Sequence, residues 1–416
     1  MTLQVAPPKM TTQTFGLRYE WEGIGINIDV RDLRMQNYEL KGQITVTCDK
    51  VPGGDLLLQT NFNFSSSTTR KTTATRLNEG YESNWNAILE QLCYITIEHF
   101  RKGEPAIELT GDNCSVKPPE YVLEPFLIRN NPTILYGDWG AAKSTTSLLM
   151  AACCLLPWDD NPMGWRSPSD TYKTMYLDWE TDKDTVFYTI NSIATGSGLG
   201  ALPIFYRRCK VPLAQDVEQI ADWVASTGAG IIIVDSLTRA AGGDLTATEP
   251  ANEFWDAVRA INKTFLILGH VAKAESDKNK RTVFGSQIYS TQARCLWEIK
   301  KSEEIGASQI DVTLYNRKSP SFTGLRQPIG MRIEFGDNSI YALSSQPEIP
   351  SEELEKIYTG DRIKDLLLKN GRMTAQGIAD KLEIKTDTVY KALHRMAEKG
   401  FIVKLPGGFW GVKSYA

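Results

Sequence analysis

A short stretch near the centre of the chain has the residue types and spacing of a phosphate-binding loop. It reads YGDWGAAKST over residues 136–145 and keeps Gly137, Lys143 and Ser144 at the usual spacing. Backbone N–H groups and a helix N-terminus would then point at phosphates, Lys143 would neutralise their charge, and Ser144 would bind Mg²⁺. The predicted nucleotide contacts are Gly137, Asp138, Trp139, Gly140, Ala141, Ala142, Lys143, Ser144 and Thr145.

Ala142 departs from this pattern, because it occupies the place of the second glycine. If the position requires a positive φ, the methyl group costs on the order of 1 kcal/mol, and if φ is negative the cost is nearly zero. Taken alone, the motif also fits a glycine-rich turn with a purely structural role.

Three apolar segments farther along the chain end in side chains that could act on a nucleotide. GIIIVDSL ends in Asp235, a possible magnesium ligand, and TFLILGH ends in His270, which could contact a γ-phosphate. TMYLDWETD ends in Asp178 and Glu180, and the glutamate could polarise water. Singly these could be a helix N-cap, a core histidine and a solvated charge. Their shared position at strand ends favours one site, because ligands of open α/β sheets bind at that edge.

The elements that would position these residues fall in residues 120–345. Apolar strand-like runs alternate there with helical stretches, which is typical of an α/β fold with a mostly parallel sheet. Residues 1–115 predict a small α+β domain with one amphipathic helix. Residues 355–416 predict a winged helix-turn-helix, with helices in RIKDLLLKNG, TAQGIADKLE and KTDTVYKALHRMAEKG.

Composition and charge limit the class of protein. The chain has 416 residues, 42% hydrophobic and 23% charged, which is typical of a globular protein. No apolar run reaches the roughly 18 residues of a membrane helix and no signal pattern is visible, which indicates a cytoplasmic protein without a membrane partner. The cysteines show no CxxC spacing, so neither a disulfide framework nor a zinc site is indicated. The net charge is -4, but residues 361–416 contain 11 Lys or Arg against 6 Asp or Glu, a balance of +5.

The central segments together resemble the RecA-like ATPases, and among them the RepA-type hexameric helicases of plasmids and mobile elements. The resemblance covers residues 130–320 and is carried by YGDWGAAKST, MGWRSPSDTYKTMYLDWETD, IIIVDSLTRAAGGD, FLILGHVAKA and VFGSQIYSTQARCLWEI. It implies a RecA-like core, ATP and Mg²⁺ as cofactors, a homohexameric ring, and single-stranded DNA in its centre. Within that family Glu180 resembles the catalytic base, Asp235 the magnesium carboxylate and His270 the γ-phosphate sensor.

The resemblance also implies a residue that acts between subunits and a loop that contacts DNA. Arg294 stands where the family has an arginine finger for the neighbouring ATP, and Lys318, beside Arg317, is a weaker candidate. A local ion pair is the alternative for Arg294. The loop AKAESDKNKRTVFGS stands where the family has DNA-binding cations, although a solvated loop is the simpler explanation. Its cations are Lys273, Lys278, Lys280 and Arg281.

The winged helix predicts a further contact, with duplex DNA. Four cations on or near its third helix and wing could meet a groove or phosphates, namely Lys385, Lys391, Arg395 and Lys404. The positive balance of this region favours DNA, and protein docking is the alternative.

Together these patterns predict an ATP-hydrolysing ring motor or helicase that acts on single-stranded DNA in replication or maintenance of a mobile element. Two alternatives remain open. One is a DNA-binding initiator or regulator that uses ATP as an assembly switch, with Ala142 impairing turnover. The other is a signalling scaffold of the KaiC kind that binds no DNA.

Overall fold

The computed structural model describes most of the chain in two compact units. One unit comprises Met1–Pro119 with Val211–Gly228, and the other comprises Glu120–Lys210 with Ala229–Ala416. The division into three domains at residues 115–120 and 345–355 stays a prediction. The described residues are 5–13, 16–36, 38–51, 56–103, 106–111, 117, 120–271, 282–302, 307–320, 326–349, 359–398 and 400–412.

Strands and helices alternate through the larger unit and are separated in the smaller one. The strands are β1 (Lys9–Gln13), β2 (Gly16–Trp21), β3 (Ile26–Gln36), β4 (Glu39–Cys48), β5 (Leu56–Asn63), β6 (Tyr121–Leu123), β7 (Leu127–Ile128), β8 (Pro132–Gly137), β9 (Thr174–Asp178), β10 (Phe205–Arg208), β11 (Ile231–Asp235), β12 (Thr264–His270), β13 (Cys295–Ser302), β14 (Gln309–Lys318), β15 (Ile329–Gly336), β16 (Ser339–Ser345), β17 (Met373–Thr374), β18 (Ile402–Leu405) and β19 (Phe409–Val412). The helices are α1 (Ser67–Gly80), α2 (Trp85–Lys102), α3 (Lys143–Leu155), α4 (Lys183–Gly196), α5 (Val217–Thr227), α6 (Leu237–Ala241), α7 (Thr248–Ile261), α8 (Gln287–Gln292), α9 (Thr359–Asn370), α10 (Ala375–Leu382) and α11 (Thr386–Glu398). None of these helices is long and apolar enough to cross a membrane.

The smaller unit is built on an antiparallel sheet in the order β1-β2-β3-β4-β5. Alternate side chains are buried along its strands, such as Leu17, Tyr19 and Trp21 of β2. One face of the sheet therefore forms a core with α1 and α2. The Tyr19 hydroxyl and Thr96 Oγ1, 2.8 Å apart, link the sheet to α2 inside that core.

The larger unit contains a nine-stranded sheet in the order β10-β9-β11-β12-β8-β13-β14-β15-β16. Neighbouring strands are parallel from β10 to β13 and antiparallel from β13 to β16. The parallel strand β11 is buried at every residue, which is typical of a covered parallel sheet. The predicted α/β fold class is confirmed: a large, mostly parallel sheet with helices follows a small antiparallel sheet with helices and precedes three helices with a small sheet, as in a winged helix.

The strand order brings the predicted chemical groups to one edge. β12 lies between β8, which leads into the phosphate-type loop, and β11, which ends in Asp235. In the register of these strands His270 pairs with Gly137, and Asp235 pairs with Asp178. The carboxyl ends of the four strands β8, β12, β11 and β9 therefore form one continuous edge.

The winged helix packs α9, α10 and α11 against the small sheet β17-β19-β18. Thr374 caps α10, because its hydroxyl oxygen accepts from the N–H of Gly377 at 3.1 Å. Seven of the apolar side chains on the three helices are buried in the domain core or, for Leu382, packed against it. They are Ile363, Leu367, Ile378, Leu382, Val389, Leu393 and Met396.

Candidate nucleotide-binding site

The loop between β8 and α3 follows a path that depends on glycine at two positions. A Cβ atom on Gly137 would lie 2.4 Å from the carbonyl oxygen of Ile299, so no side chain fits there. Gly140 has a φ of +68°, in the region that glycine adopts without steric cost. Between them the loop is open to solvent, and Trp139 at its tip is 89% exposed.

Ala142 adopts the conformation in which its side chain is costly. It is the N-cap residue of α3, with φ 58° and ψ 30° in the left-handed region. Of the two cases that the sequence leaves open, the structure has the one with positive φ. The methyl group therefore costs on the order of 1 kcal/mol.

We expect Ala142→Gly to favour the observed loop and tighten nucleotide binding. Relief of about 1 kcal/mol corresponds to a factor of about five in an equilibrium. Calorimetric titration with ATP and the unfolding midpoint measure the effect. Ala141→Gly is the matched control, because Ala141 is 2% exposed and lacks positive φ, so this change should destabilise the protein. Equal effects of the two changes would contradict the expectation.

Lys143 lies inside the loop, in the first turn of α3. Its ammonium donates to the carbonyl oxygens of Gly137 at 3.2 Å and Asp138 at 2.9 Å. Burial lowers the pKa of Lys143, and the nearby carboxylates of Asp235 and Glu180 oppose that shift. The Lys143 ammonium is thus held by carbonyl dipoles at the place where it could meet a phosphate.

The two predicted magnesium ligands contact each other directly. Ser144 Oγ donates to Asp235 Oδ2 at 2.8 Å, and the hydroxyl of Tyr176 donates to the same oxygen. Burial raises the pKa of Asp235, whereas the hydrogen bonds from Tyr176 and Ser144 lower it. A hydroxyl and a carboxylate are oxygen ligands that suit Mg²⁺, which is usually bound by one or two protein groups plus phosphates and water.

Glu180 is held next to this pair. Ser236 Oγ donates to Glu180 Oε1, and His270 Nε2 lies 3.9 Å from the same oxygen. The His270 imidazole lowers the pKa of Glu180, the Ser236 hydroxyl adds to this, and burial opposes both. The carboxylate is therefore ionised at neutral pH, which is the form that a general base needs.

The structure thus brings together the side chains of Lys143, Ser144, Glu180, Asp235 and His270 at the carboxyl edge of the sheet. Ser144 contacts Asp235, His270 lies close to Glu180, and Lys143 is near enough to both carboxylates for their charges to act on its pKa. Assignment of a catalytic role to each of them stays a prediction.

Arg294 lies at the opposite edge of the sheet. Its N–H donates to Pro132 O at 2.8 Å, at the start of β8. β13 runs parallel to β8, with Cys295 paired to Thr133 and Ile299 paired to Gly137, a separation of about 13 Å along the strand. The exposed Arg294 side chain cannot span that distance, so it could serve only a nucleotide on another molecule.

Lys318 lies at the same amino edge, where it caps a helix. Its ammonium donates to the carbonyl oxygens of Ser290 at 3.0 Å and Thr291 at 2.6 Å, at the end of α8. Burial lowers the pKa of Lys318. Arg317 forms an ion pair with the buried Glu298, because its Nε and Nη2 atoms donate to Glu298 Oε2 at 2.8 and 2.6 Å.

The predicted DNA contacts divide into two groups. Lys273, Lys278, Lys280 and Arg281 lie outside the described residues. The winged-helix cations Lys385, Lys391, Arg395 and Lys404 are all exposed.

Two of these cations lie on α11, the third helix of the winged helix. Lys391 and Arg395 are four residues apart on α11 and share one face. Its opposite face, with Val389 and Leu393, is buried in the domain core. This arrangement leaves the Lys391 and Arg395 side chains able to approach a duplex.

The sequence analysis did not identify several residues that the structure places at the site. Tyr176 lies inside an apolar strand, and Ser236 directly follows Asp235, so neither shows a motif of its own. Lys301 Nζ lies 3.8 Å from the position of a Cβ atom on Gly140 and adds a cation beside the loop. Only knowledge of the neighbouring strands could have found these three.

Two family models match separate parts of the chain. Residues 102–276 match a model described as an AAA domain. This stretch contains the phosphate-type loop and the strands that end in Asp178, Asp235 and His270, so the centre of the chain is similar to AAA-type P-loop ATPase domains. Residues 365–415 match a model described as the sugar-specific transcriptional regulator TrmB, so the winged helix is similar to a domain of that family.

Comparison with solved structures gives a weak likeness. A KaiC-like protein from the hyperthermophilic archaeon Pyrococcus horikoshii aligns with 54% of this chain and 94% of its own, at 14% identity and a TM-score of 0.35. That likeness is too low to assign an activity. No curated protein matches the sequence.

Proposed function

We propose that the protein is an ATP-hydrolysing motor of the RepA type, a hexameric ring that acts on single-stranded DNA in replication or maintenance of a mobile element. The observation that carries the proposal is the Glu180 carboxylate, held by Ser236 and His270 near the Ser144–Asp235 pair and the phosphate loop. A base, a magnesium site and a phosphate loop in one crevice are the parts that nucleotide hydrolysis requires.

The position of Arg294 supports assembly into a ring. A finger at the amino edge and a nucleotide at the carboxyl edge place the two halves of one catalytic site on opposite edges of the sheet. Head-to-tail contact between copies would join them, and such contacts form a ring when the rotation between copies closes. Six subunits and single-stranded DNA in the centre rest on the resemblance to RepA-type helicases.

Steady-state ATP hydrolysis with and without single-stranded DNA tests the proposal. We expect DNA to stimulate hydrolysis and Lys143→Ala to abolish it, because the loop then lacks its phosphate cation. Lys263→Ala is the control, since Lys263 precedes β12 at the amino edge. Mass photometry of the same samples reports the ring. A hydrolysis rate that does not change when DNA is added, in a protein that stays monomeric with ATP, would contradict the proposed motor.

The winged helix is proposed to bind duplex DNA through the exposed face of α11. We expect Lys391→Ala with Arg395→Ala to weaken duplex binding and to reduce the slope of log K against log salt by about 2, because two phosphate contacts are lost. Fluorescence anisotropy over a salt series measures this. Lys369→Ala is the control, because Lys369 lies on α9 and bonds Gln346. An unchanged slope would favour protein docking and the scaffold function.

A second candidate function is a DNA-binding initiator or regulator that uses ATP as an assembly switch. The strained Ala142 favours it, since a costly loop conformation weakens nucleotide binding, and so does the match to a transcriptional regulator. This candidate predicts that ATP drives assembly while loss of the Glu180 carboxylate changes function little.

A further inference from the structure

The carboxylate of Asp178, at the end of β9, is buried and fully engaged. Asp178 is 0% exposed. Its Oδ1 accepts from the backbone N–H groups of Glu180 and Thr181, both at 2.8 Å. Its Oδ2 accepts from the Thr181 hydroxyl at 2.9 Å and the Tyr206 hydroxyl at 2.8 Å. Arg208 Nη1 lies 3.4 Å from Oδ1.

These contacts fix the backbone that carries the candidate base. The N–H of Glu180 is bonded to the Asp178 side chain, so the turn cannot rotate without breaking a buried hydrogen bond. The Asp178 oxygens are occupied and out of solvent, which leaves Asp178 no direct contact with a nucleotide. An effect of Asp178 on hydrolysis would therefore be indirect, and the Glu180 N–H is its direct link to the candidate base.

We propose that Asp178 is a positioning residue that aims the Glu180 carboxylate at the attacking water, with the Tyr206 hydroxyl as its support. This inference rests on the proposed ATP hydrolysis and deepens it. Misplacement of a reacting group by about 1 Å costs on the order of 100-fold in rate, so loss of this anchor should act on turnover. Nucleotide affinity should change little, because the phosphate loop is untouched.

The chain contains a matched control four residues farther on. Asp182 repeats the same turn: its Oδ1 accepts from the N–H groups of Asp184 and Thr185 at 2.9 Å, and its Oδ2 accepts from the Thr185 hydroxyl at 3.0 Å. This second turn caps α4, and its three hydrogen bonds do not involve Glu180. Asp182→Ala thus removes the same kind of hydrogen bonds without touching the candidate base.

The experiment measures kcat at saturating MgATP, binding of a non-hydrolysable ATP analogue, and the unfolding midpoint of the full chain. We expect Asp178→Ala to lower kcat about 100-fold with unchanged analogue affinity. Asp178→Asn should lower it less, because its oxygen still accepts from the two N–H groups while its amide nitrogen cannot accept from Tyr206. Tyr206→Phe should lower kcat least, and Asp182→Ala should leave kcat unchanged.

A double-variant test separates positioning from a structural role. If Asp178 acts through Glu180, Asp178→Ala combined with Glu180→Gln should be no slower than Glu180→Gln alone. Additive losses, or equal losses in Asp178→Ala and Asp182→Ala, would overturn the inference. Should Asp178→Ala not fold, Asp178→Asn and Tyr206→Phe give the same comparison.

The outcomes also distinguish this inference from the proposed function. If the unmodified chain hydrolyses ATP and kcat is unchanged in both Asp178→Asn and Tyr206→Phe, the positioning role alone is overturned. Absence of hydrolysis in the unmodified chain would overturn both.

Discussion

Glu180→Gln is expected to lower ATP turnover by about 10²–10⁴-fold while ATP still binds. Glutamine keeps the shape of the side chain and an oxygen that can accept from Ser236, but it cannot take a proton from water. The pH profile gives a second check. Because the His270 imidazole lowers the pKa of Glu180, the base stays ionised as pH falls, and the acid limb should lie below the ordinary glutamate range.

Glu334→Gln, on the exposed end of β15, is the control for this change and should hydrolyse ATP like the unmodified chain. The result also separates the two candidate functions. DNA unwinding that disappears in Glu180→Gln requires a motor. If Glu180→Gln still assembles with ATP and retains every DNA-dependent activity, the assembly switch is the better account.

Arg294→Ala is expected to lower turnover by about 10³–10⁵-fold, because the charge that develops on the transferred phosphoryl group loses its arginine. Mixing two variant proteins should restore part of the lost activity, because each supplies the group that the other lacks. Arg294→Ala chains supply an intact phosphate loop, and Lys143→Ala chains supply an intact Arg294. A mixture of the two inactive proteins should regain part of the activity in steady-state assays.

Arg332→Ala is the control for the arginine, because Arg332 is paired with Asp311 on the antiparallel side of the sheet and should be dispensable. Full activity of Arg294→Ala would show that Arg294 is not the finger. A mixture that stays inactive, although the two chains assemble together, would show that Arg294 does not act across subunits.

The grouping of the site was predictable because strand ends in a parallel sheet meet at one edge. Asp235, Glu180 and His270 each follow an apolar run, and the strand order places those runs side by side. Tyr176 was not predictable in this way. Its hydroxyl meets Asp235 only because β9 lies next to β11, and a lone apolar strand does not reveal its neighbour.

Two backbone features could not be predicted from the sequence pattern either. The helix α1 shows little apolar periodicity, since it buries Thr73 with Ala74 and Leu77, so only one helix was predicted in this region. Its start depends on a local hydrogen bond, from the N–H of Thr69 to Ser66 Oγ at 3.2 Å. The φ of Ala142 likewise depends on the path of the folded loop, which residue types alone do not determine.

β13 joins the two edges of the sheet, and this gives the proposed ring a mechanical property. At one end its Ile299 backbone lies so close to Gly137 that no side chain fits between them, and at the other end it begins directly after Arg294. A hydrogen-bonded strand is stiff along its length. If Arg294 serves the next copy, β13 physically connects the loop that binds a subunit's own nucleotide to the arginine that acts on its neighbour's nucleotide. Hydrolysis would then proceed in order from one subunit to the next around the ring.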